Sequence, residues 1–375
     1  MRSPARFALN IGAATALLAG CGGSQPPIGA PGAMPRARAI VAQGERSGSR
    51  PLVKPAVRPE LKEYPVGNPK GAAYPLSLIF DKRGDLWFNA FLLPYLGKMA
   101  PNGKVTAHRL PIKLTPCGQE YANEFALGPD HNIWLTDLCG QSLGTVKPDD
   151  EIMQKDPFLK TGYSYTAGIT TMSRGLWVVI TPYGYLAEVS ATWKVIKTIR
   201  LPNYYCWPGP IGVGYAKTLW IPGGANCSIA RVTPDGKVAD FPVQAKDGVW
   251  VITRGPDGNM WFTAADGPKE NAWVGKITPN GQITKYPITD QAWGIAMGPD
   301  GNWWITEPYV GHVISMNLQG QVVDDIKLPH SINGSQPRFQ TGEIIQGPDG
   351  NMWFGEGLRN KIGELIFRMV SAKND

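Results

Sequence analysis

Three acidic residues and two tryptophans stand at matching places in a repeated sequence pattern. Asp137, Glu307 and Glu356 each follow a recurring tryptophan by three positions, and Trp250 and Trp293 each precede one by eleven positions. Carboxylates can hold a divalent cation or move a proton, and indole faces can stack on a sugar ring or an apolar macrocycle. A fold that gathers these side chains would therefore have a binding or catalytic site made of acids and indoles.

The reference tryptophan recurs at the spacing of a propeller blade. The octapeptide GPDGNMWF occurs at 255–262 and again at 347–354, and the variant GPDGNWWI occurs at 298–305. Successive copies lie 47, 43, 43, 41, 43 and 49 residues apart, which is the length of a four-stranded blade. The seven anchor tryptophans are Trp87, Trp134, Trp177, Trp220, Trp261, Trp304 and Trp353.

Each repeat is predicted to form two β-hairpins. In WGIAMGPDGNWWITEP (293–308) a Pro-Asp-Gly-Asn turn separates two apolar runs, and a second turn such as TPNGQIT (278–284) follows in most repeats. Two hairpins make one antiparallel blade, so the sequence predicts an all-β, seven-bladed β-propeller over 61–375. The seventh repeat lacks a fourth strand, and EYPV (63–66) is predicted to supply it, so that the N-terminal strand closes the last blade.

The hairpin geometry predicts where the candidate residues lie. Positions three after and eleven before each anchor are almost equidistant from the turn, so they meet at the open end of the hairpin. All seven open ends are expected to surround the central channel on one face, where a small ligand has room to bind. The predicted ligand-binding residues are Trp207, Trp250, Trp293, Asn123 and Glu124, beside the three carboxylates.

The segment before residue 61 is predicted to lie outside the propeller. Arg2, Arg6 and the apolar run 11–20 have the form of a signal peptide, and the run is too short to span a bilayer. LAGC (18–21) resembles the lipobox of bacterial lipoproteins, which implies cleavage before Cys21 and lipid attachment to it. We expect a signal peptide over 1–20 and a lipidated Cys21 with a flexible linker over 21–60. The protein would then be exported and lipid-anchored to the bacterial cell envelope; the alternative is an ordinary secretory signal with a stray cysteine.

The positive charge is concentrated in this N-terminal segment. Residues 1–60 contain 8 Lys and Arg against 2 Asp and Glu, whereas 61–375 contain 29 against 28. A basic linker suits an anionic membrane surface, although it can equally be a solvated tether. The nearly neutral ring gives no electrostatic reason to expect nucleic acid as a partner.

Four further cysteines flank two of the anchors. Cys117 and Cys139 bracket Trp134, and Cys206 and Cys227 bracket Trp220. Of the three possible connectivities, only 117–139 with 206–227 joins neighbours within a blade. Because an exported chain can keep such bridges oxidised, we predict disulfides at these four positions.

The repeats resemble those of the virginiamycin B lyase (streptogramin lyase) family. The shared pattern is G-I-x-x-G-P-D-G-N-x-W-[FI]-T-E, followed by x-I-G-x-[IL] and a P-[DN]-G turn; it covers 61–375 and is strongest over 247–367. The resemblance implies a seven-bladed propeller that binds Mg²⁺ on the channel face and linearises a cyclic depsipeptide by eliminating its ester linkage. It makes Glu307 the match of a metal-holding glutamate, with Asp137 and Glu356 as analogues in other blades around Mg²⁺ or Ca²⁺.

The sequence departs from the family at the catalytic base. The position of the family's histidine base is occupied by Trp293, with Trp250 one blade earlier, and an indole can donate a hydrogen bond but cannot accept a proton. His312, near Glu307, and His330, in an insertion before the last blade, are the histidines placed to replace it. His108 and His131 are assigned to an outer strand and to a turn on the opposite face.

Three functions are consistent with this sequence. We favour a monomeric binding propeller that takes a small molecule, a sugar or a macrocycle at the channel mouth. The second is a divalent-metal-dependent carbon-oxygen lyase or lactonase-type enzyme acting on a cyclic ester, with Glu307, His312 and His330 as catalytic candidates. The third is an envelope scaffold whose loops, such as 111–124, 154–166 and 330–342, contact other proteins.

Overall fold

Seven four-stranded antiparallel sheets follow one another along the chain in a computed structural model. We number them as blades 1 to 7, and the predicted seven-bladed β-propeller is confirmed. The structure describes residues 40–41, 58–67, 74–91, 93–111, 122–137, 142–158, 165–173, 175–181, 184–202, 209–223, 228–245, 248–265, 272–329 and 340–368.

The strands run from the channel outward in chain order within each blade. Before the blades come β1 (Ile40–Val41) and β2 (Glu60–Pro65). Blades 1 to 3 contain β3 (Leu78–Phe80), β4 (Leu86–Asn89), β5 (Tyr95–Met99), β6 (Val105–Arg109), β7 (Ala122–Leu127), β8 (Ile133–Asp137), β9 (Leu143–Val146), β10 (Ile152–Lys155), β11 (Tyr165–Met172), β12 (Gly175–Thr181), β13 (Tyr185–Val189) and β14 (Val195–Arg200). Blades 4 and 5 contain β15 (Gly212–Val213), β16 (Leu219–Pro222), β17 (Ser228–Val232), β18 (Val238–Pro242), β19 (Gly248–Arg254), β20 (Met260–Ala265), β21 (Trp273–Ile277) and β22 (Ile283–Pro287). Blades 6 and 7 contain β23 (Ile295–Met297), β24 (Trp303–Glu307), β25 (His312–Met316), β26 (Val322–Lys327), β27 (Ile344–Gln346), β28 (Met352–Glu356) and β29 (Lys361–Ile366).

The ring closes through the N-terminal strand β2, as predicted. It pairs antiparallel with β29, with Glu60 opposite Ile366 and Pro65 opposite Lys361, so it begins three residues before the EYPV segment. The innermost strands contact one another around the whole ring, including β27 with β3. Closure in this way gives blade 7 its fourth, outer strand and covers the edge of β29 that would otherwise be exposed.

The hydrophobic core is divided among the seven junctions between neighbouring blades. Each junction contains one of the seven anchor tryptophans. Between blades 5 and 6, for example, the fully buried Trp261 packs with Ile295 and Trp303. The anchors therefore hold blades together, and Trp250 packs against the cluster that contains the anchor Trp261.

The repeated octapeptide forms a turn that fixes its own tryptophan. The Asp257 carboxylate accepts hydrogen bonds from the Trp261 indole N–H at 3.1 Å and from the backbone N–H of Asn259 at 3.2 Å. Gly258 has φ +83°, a left-handed conformation that glycine adopts without strain. The same indole bond joins Asp300 to Trp304 and Asp349 to Trp353.

A few elements fall outside the blade pattern. β1 pairs in parallel with β22 as a fifth strand on blade 5. Short 3₁₀ helices occur at Tyr215–Lys217 and Gly357–Arg359. Within the described ranges, no helix has both the length and the apolar character needed to cross a membrane.

Candidate functional site on the channel face

Trp250 and Trp293 stack against each other where blades 5 and 6 meet the channel. Their ring centroids are 5.3 Å apart and the ring planes differ by 11°. Both side chains are half-buried. Strand pairing shifts between Val249 and Ile252, so Trp250 lies in a β-bulge, the kind of irregularity that re-aims a side chain next to a site. The structure thus brings the two tryptophans singled out in the sequence into direct contact.

A single threonine hydroxyl connects the backbones that carry the two indoles. Thr263 Oγ1 accepts a hydrogen bond from the Val251 N–H at 3.2 Å and donates one to the Trp293 carbonyl at 2.7 Å. Thr306 makes the equivalent two hydrogen bonds between blades 6 and 7: its Oγ1 accepts from the Gly294 N–H and donates to the Gly342 carbonyl. These threonines were not among the residues predicted from the sequence. Both lie two residues after an anchor tryptophan, in the WFT and WWIT segments, and this shared position could have indicated a common role.

Two glutamates, one from blade 2 and one from blade 7, form a pair. The Glu124 carboxyl hydrogen-bonds to that of Glu343, and the Ser77 hydroxyl donates to Glu343 Oε2 at 2.6 Å. Burial raises the pKa of Glu124 well above its usual range, and the nearby Glu343 charge raises it further. Burial also raises the pKa of Glu343. The pair therefore shares a proton under conditions in which ordinary glutamates are ionised.

Glu343 was missed in the sequence although its repeat position pointed to it. Glu124 lies ten residues before the anchor Trp134, and Glu343 lies ten residues before the anchor Trp353. Both therefore occupy the same level of the channel. Asn123 precedes Glu124 in a region of shifted register between Ala122 and Phe125, and its carbonyl accepts a hydrogen bond from Asn89 Nδ2 at 3.4 Å.

Residues next to the tryptophan stack and one glutamate of the carboxyl pair line a common cavity. A cavity of about 480 Å³ lies between the inner strands of blades 4 to 7, and its walls include Val251, Ile295, Glu343 and, at its other end, Arg254. Gly294, which follows Trp293, packs so closely on blade 7 that an added Cβ would lie 3.0 Å from the Glu343 Cα. The candidate site thus has Val251, which follows Trp250, Ile295, which lies two residues after Trp293, and Glu343 of the carboxyl pair on the walls of one cavity.

Glu307 is completely buried at the end of β24. Its Oε1 accepts a hydrogen bond from the Asp290 N–H at 3.1 Å, while no described residue hydrogen-bonds to Oε2. Burial raises the pKa of Glu307 to about 8. His312 lies directly opposite on β25, and its Nδ1 is 2.9 Å from Asp325 Oδ1.

The other two predicted carboxylates also face the outer strands of their own blades. Glu356 is fully buried beside Glu63 of β2 and Lys361, and burial together with the Glu63 charge raises its pKa to about 8. Asp137 Oδ2 accepts hydrogen bonds from Ser142 Oγ at 3.1 Å and Gln154 Nε2 at 3.2 Å. Each of the three carboxyl groups therefore has its own separate surroundings.

The carboxyl groups as placed do not fit a shared Mg²⁺ or Ca²⁺ site. In the part of the chain that the structure describes, no three His, Cys, Asp or Glu residues are grouped so that they could hold a metal ion. Glu307 and Glu356 lie beside different residues, Glu307 beside Asp290 of blade 6 and Glu356 beside Glu63 and Lys361 of blade 7, whereas Mg²⁺ or Ca²⁺ needs several oxygen ligands around one point.

Several predicted positions lie outside the described residues. They are Trp207 of the ligand-binding set, His330 of the catalytic set, Cys21 at the lipidation site, and Cys117, Cys139, Cys206 and Cys227 of the predicted disulfides.

Comparisons with known proteins agree with the fold and with the family resemblance. The family model of the virginiamycin B lyase family matches residues 194–369. A streptogramin B lyase structure superimposes with a TM-score of 0.69 at 22% identity, covering 83% of this chain and 98% of that one. A catalytically inactive histidine-to-alanine variant of Staphylococcus aureus virginiamycin B lyase, crystallised with quinupristin, gives 0.69 at 21% identity and covers 82% and 100%. Kuenenia stuttgartiensis hydrazine synthase gives 0.63 at 14% identity and covers 79% and 96%.

At these identities the structural matches establish the fold. A comparison with curated protein sequences gave no significant match. The chain is therefore a seven-bladed propeller that resembles the virginiamycin B lyase family, in sequence over residues 194–369 and in fold over the ring.

Proposed function

We propose that this protein binds a small ligand on the channel face and that the Trp250–Trp293 stack is the binding platform. The observation that carries the proposal is the stack itself, whose two rings are only half-buried and in which Trp250 lies in a β-bulge. Large rigid aromatic rings contribute much apolar contact area at low cost in conformational entropy. A pair that is already stacked before the ligand arrives loses little further freedom on binding.

The ligand class follows from the chemistry of the walls. Indole faces and the side chains of Val251 and Ile295 favour an apolar macrocycle or the face of a sugar ring. Trp293 occupies the position matched to the family's histidine base, and its indole cannot take a proton from a ligand. The site therefore supports binding more directly than the elimination reaction that the family resemblance implies.

The test is a titration of the purified propeller with one ligand of each class. Quinupristin serves as the macrocycle and a neutral oligosaccharide as the sugar, with affinity measured by calorimetry. A Trp250→Ala, Trp293→Ala double variant should bind at least about tenfold more weakly than the unmodified protein. Trp193→Ala is the matched control, because Trp193 is also half-buried but contacts Trp134 at a distant blade junction. Equal affinity of the double variant, or no binding of either ligand by the unmodified protein, would refute the proposal.

A second candidate function is a lyase or lactonase-type enzyme acting on a cyclic ester. It is favoured by Glu307, whose pKa is raised by burial to about 8, and by His312, which lies opposite it with Nδ1 2.9 Å from Asp325 Oδ1. A buried carboxyl with a raised pKa suits a general acid, and an imidazole on the neighbouring strand is a candidate base.

Mass spectrometry separates the two functions. The protein is incubated with quinupristin and with a panel of lactones, with and without Mg²⁺, and the products are examined for ring opening. Turnover that disappears in both Glu307→Gln and His312→Ala would establish the enzyme. Absence of turnover on every substrate would leave binding as the function.

We also propose that the protein is exported and anchored to the cell envelope through a lipid on Cys21. The proposal is supported by the signal-like segment 1–20 and by the cysteine that directly follows it. Metabolic labelling with an alkyne-tagged fatty acid should mark the wild-type protein but not Cys21→Ser. A substituted protein that still fractionates with membranes would contradict this assignment.

A further inference from the structure

Three neighbouring blades meet in the channel through three polar side chains. Ser77 of blade 1 donates its hydroxyl proton to Glu343 Oε2 of blade 7, and the Leu78 N–H approaches the same oxygen at 3.3 Å. Glu124 of blade 2 hydrogen-bonds to Glu343 and to Ser77. This cluster spans the joint where the first and last blades close, beside the 2.7 Å bond from the Glu343 N–H to the Leu76 carbonyl.

A hydrogen bond between two carboxyl groups requires a proton. Ionised carboxylates only accept hydrogen bonds, so Glu124 and Glu343 can bond to each other only while one of them is protonated. When both are ionised, two like charges face each other in a partly buried channel, and the contact becomes repulsive. The contact between blades 2 and 7 therefore depends on a single proton.

No described cation is placed to neutralise a second negative charge at this joint. The charged group that acts on Glu124 is Glu343, and the remaining partners of the pair are the Ser77 hydroxyl and the Leu78 N–H. Asp137, on the neighbouring strand of blade 2, faces Ser142 and Gln154 instead. Arg254 lines the same cavity as Glu343, but it is not among the groups that shift the pKa of either glutamate.

We propose that Glu124, Glu343 and Ser77 form a proton-dependent lock on ring closure, in which one shared proton ties blade 2 to blade 7 across blade 1. The lock does not depend on the proposed ligand, because all its contacts are within the protein. Loss of the proton loosens the joint between blades 7 and 1 and leaves the other blade junctions in place.

The direction of the pH effect follows from the raised pKa values. Glutamates in the unfolded chain titrate near their ordinary pKa of 4.5, whereas burial holds the pKa of Glu124 well above it. Below that ordinary value the lock contributes fully to stability. As the pH rises through the higher pKa of Glu124, the contribution is lost.

The test compares the wild-type protein with Glu124→Gln and Glu343→Gln between about pH 5 and pH 9. A glutamine has nearly the same size, and its amide donates to the remaining carboxylate without needing a proton. The melting temperature of the wild type should fall by a few degrees more than that of either glutamine variant as the pH rises. Hydrogen exchange gives a local readout: protection of the Leu78 and Glu343 amides should fall with pH in the wild type and stay constant in Glu124→Gln.

The control is Glu307→Gln, which changes another buried acid in blade 6 and should leave exchange at Leu78 and Glu343 unchanged. If one glutamine variant fails to fold, the other variant still provides the test. A glutamine at either position can donate a hydrogen bond to the remaining carboxylate. Melting curves of both variants that remain parallel to the wild type at every pH would overturn the proposal. Exchange at Leu78 that follows the same pH dependence in all proteins would overturn it as well.

Discussion

The indole rings of Trp250 and Trp293 lie nearly parallel, with centroids 5.3 Å apart, across the junction of blades 5 and 6. The two residues are 43 positions apart in the sequence, and each projects from the first strand region of its blade. Because both rings are only half-buried, the stack can serve as a contact surface while it also contributes to the stability of the ring.

The stack should be measurable as a coupling energy. Combining Trp250→Ala and Trp293→Ala should destabilise the protein by less than the sum of the single changes, with a coupling of about 0.5–1.5 kcal/mol. Urea unfolding of the three variants and the wild type completes the cycle. Trp250→Ala combined with Trp193→Ala is the control and should be additive, since Trp193 contacts a different blade junction. Additivity of the first pair would show that the rings do not interact in solution.

Glu307 should make the stability of the protein depend on pH. Its pKa is raised from 4.5 to about 8 by burial, so its contribution is complete below pH 4.5 and is lost as the pH rises toward 8. Glu307→Gln should therefore lose less stability than the wild type over this interval, by roughly 1–3 kcal/mol. Unfolding free energies at both ends of the interval check the result. Asp235→Asn is the control, because the Asp235 pKa is lowered to about 2 and this exposed group does not titrate there.

Thr306 should stabilise the junction between blades 6 and 7. Its hydroxyl accepts from the Gly294 N–H at 2.9 Å and donates to the Gly342 carbonyl at 2.7 Å. Thr306→Val keeps the shape but leaves both buried backbone groups without this partner, which should cost about 1–3 kcal/mol. Thr198→Val on the exposed side of β14 should change the unfolding free energy by less than about 0.5 kcal/mol. Similar small effects of both changes would argue against the bridge.

Tyr64 should hold the closing strand β2 in place. Its ring stacks on Trp353 with centroids 5.5 Å apart, and its hydroxyl donates to Glu364 Oε2 at 2.6 Å. Tyr64→Phe should cost about 1 kcal/mol through the lost hydrogen bond, and Tyr64→Ala should cost about 2 kcal/mol or more. Urea unfolding gives these values, and limited proteolysis should cut within β2 (Glu60–Pro65) only in the alanine variant. The exposed Tyr165, changed to Ala, is the control; equal losses at both positions would contradict a special role of β2.

The repeat spacing was sufficient to predict the ring because its causes are local. A Pro-Asp-Gly-Asn turn and an anchor tryptophan determine one hairpin, and residues at equal distances from that turn must lie at the same level. The stack of Trp250 and Trp293 could therefore be located from the sequence, as could the strand that closes the last blade.

The surroundings of the three predicted carboxyl groups could not be derived from the repeat spacing. Asp137, Glu307 and Glu356 each end the second strand of their blade, but counting from the anchor did not give their neighbours, which are the outer strands of their own blades. The direction of such a side chain depends on the pleat of the strand, on its twist and on the side chains packed beside it. A convergent acidic centre could not be inferred from spacing alone.

By itself, the sequence determined the number of blades, the closing strand and the level of each candidate residue, because turns and strand periodicity act over a few residues. Tertiary structure decided that Glu124 meets Glu343 and that Glu307 is enclosed beside His312. Glu124 and Glu343 are 219 positions apart, and only closure of the ring brings them within hydrogen-bonding distance. Their raised pKa values then arise from burial, which is a property of the closed ring and of no local segment.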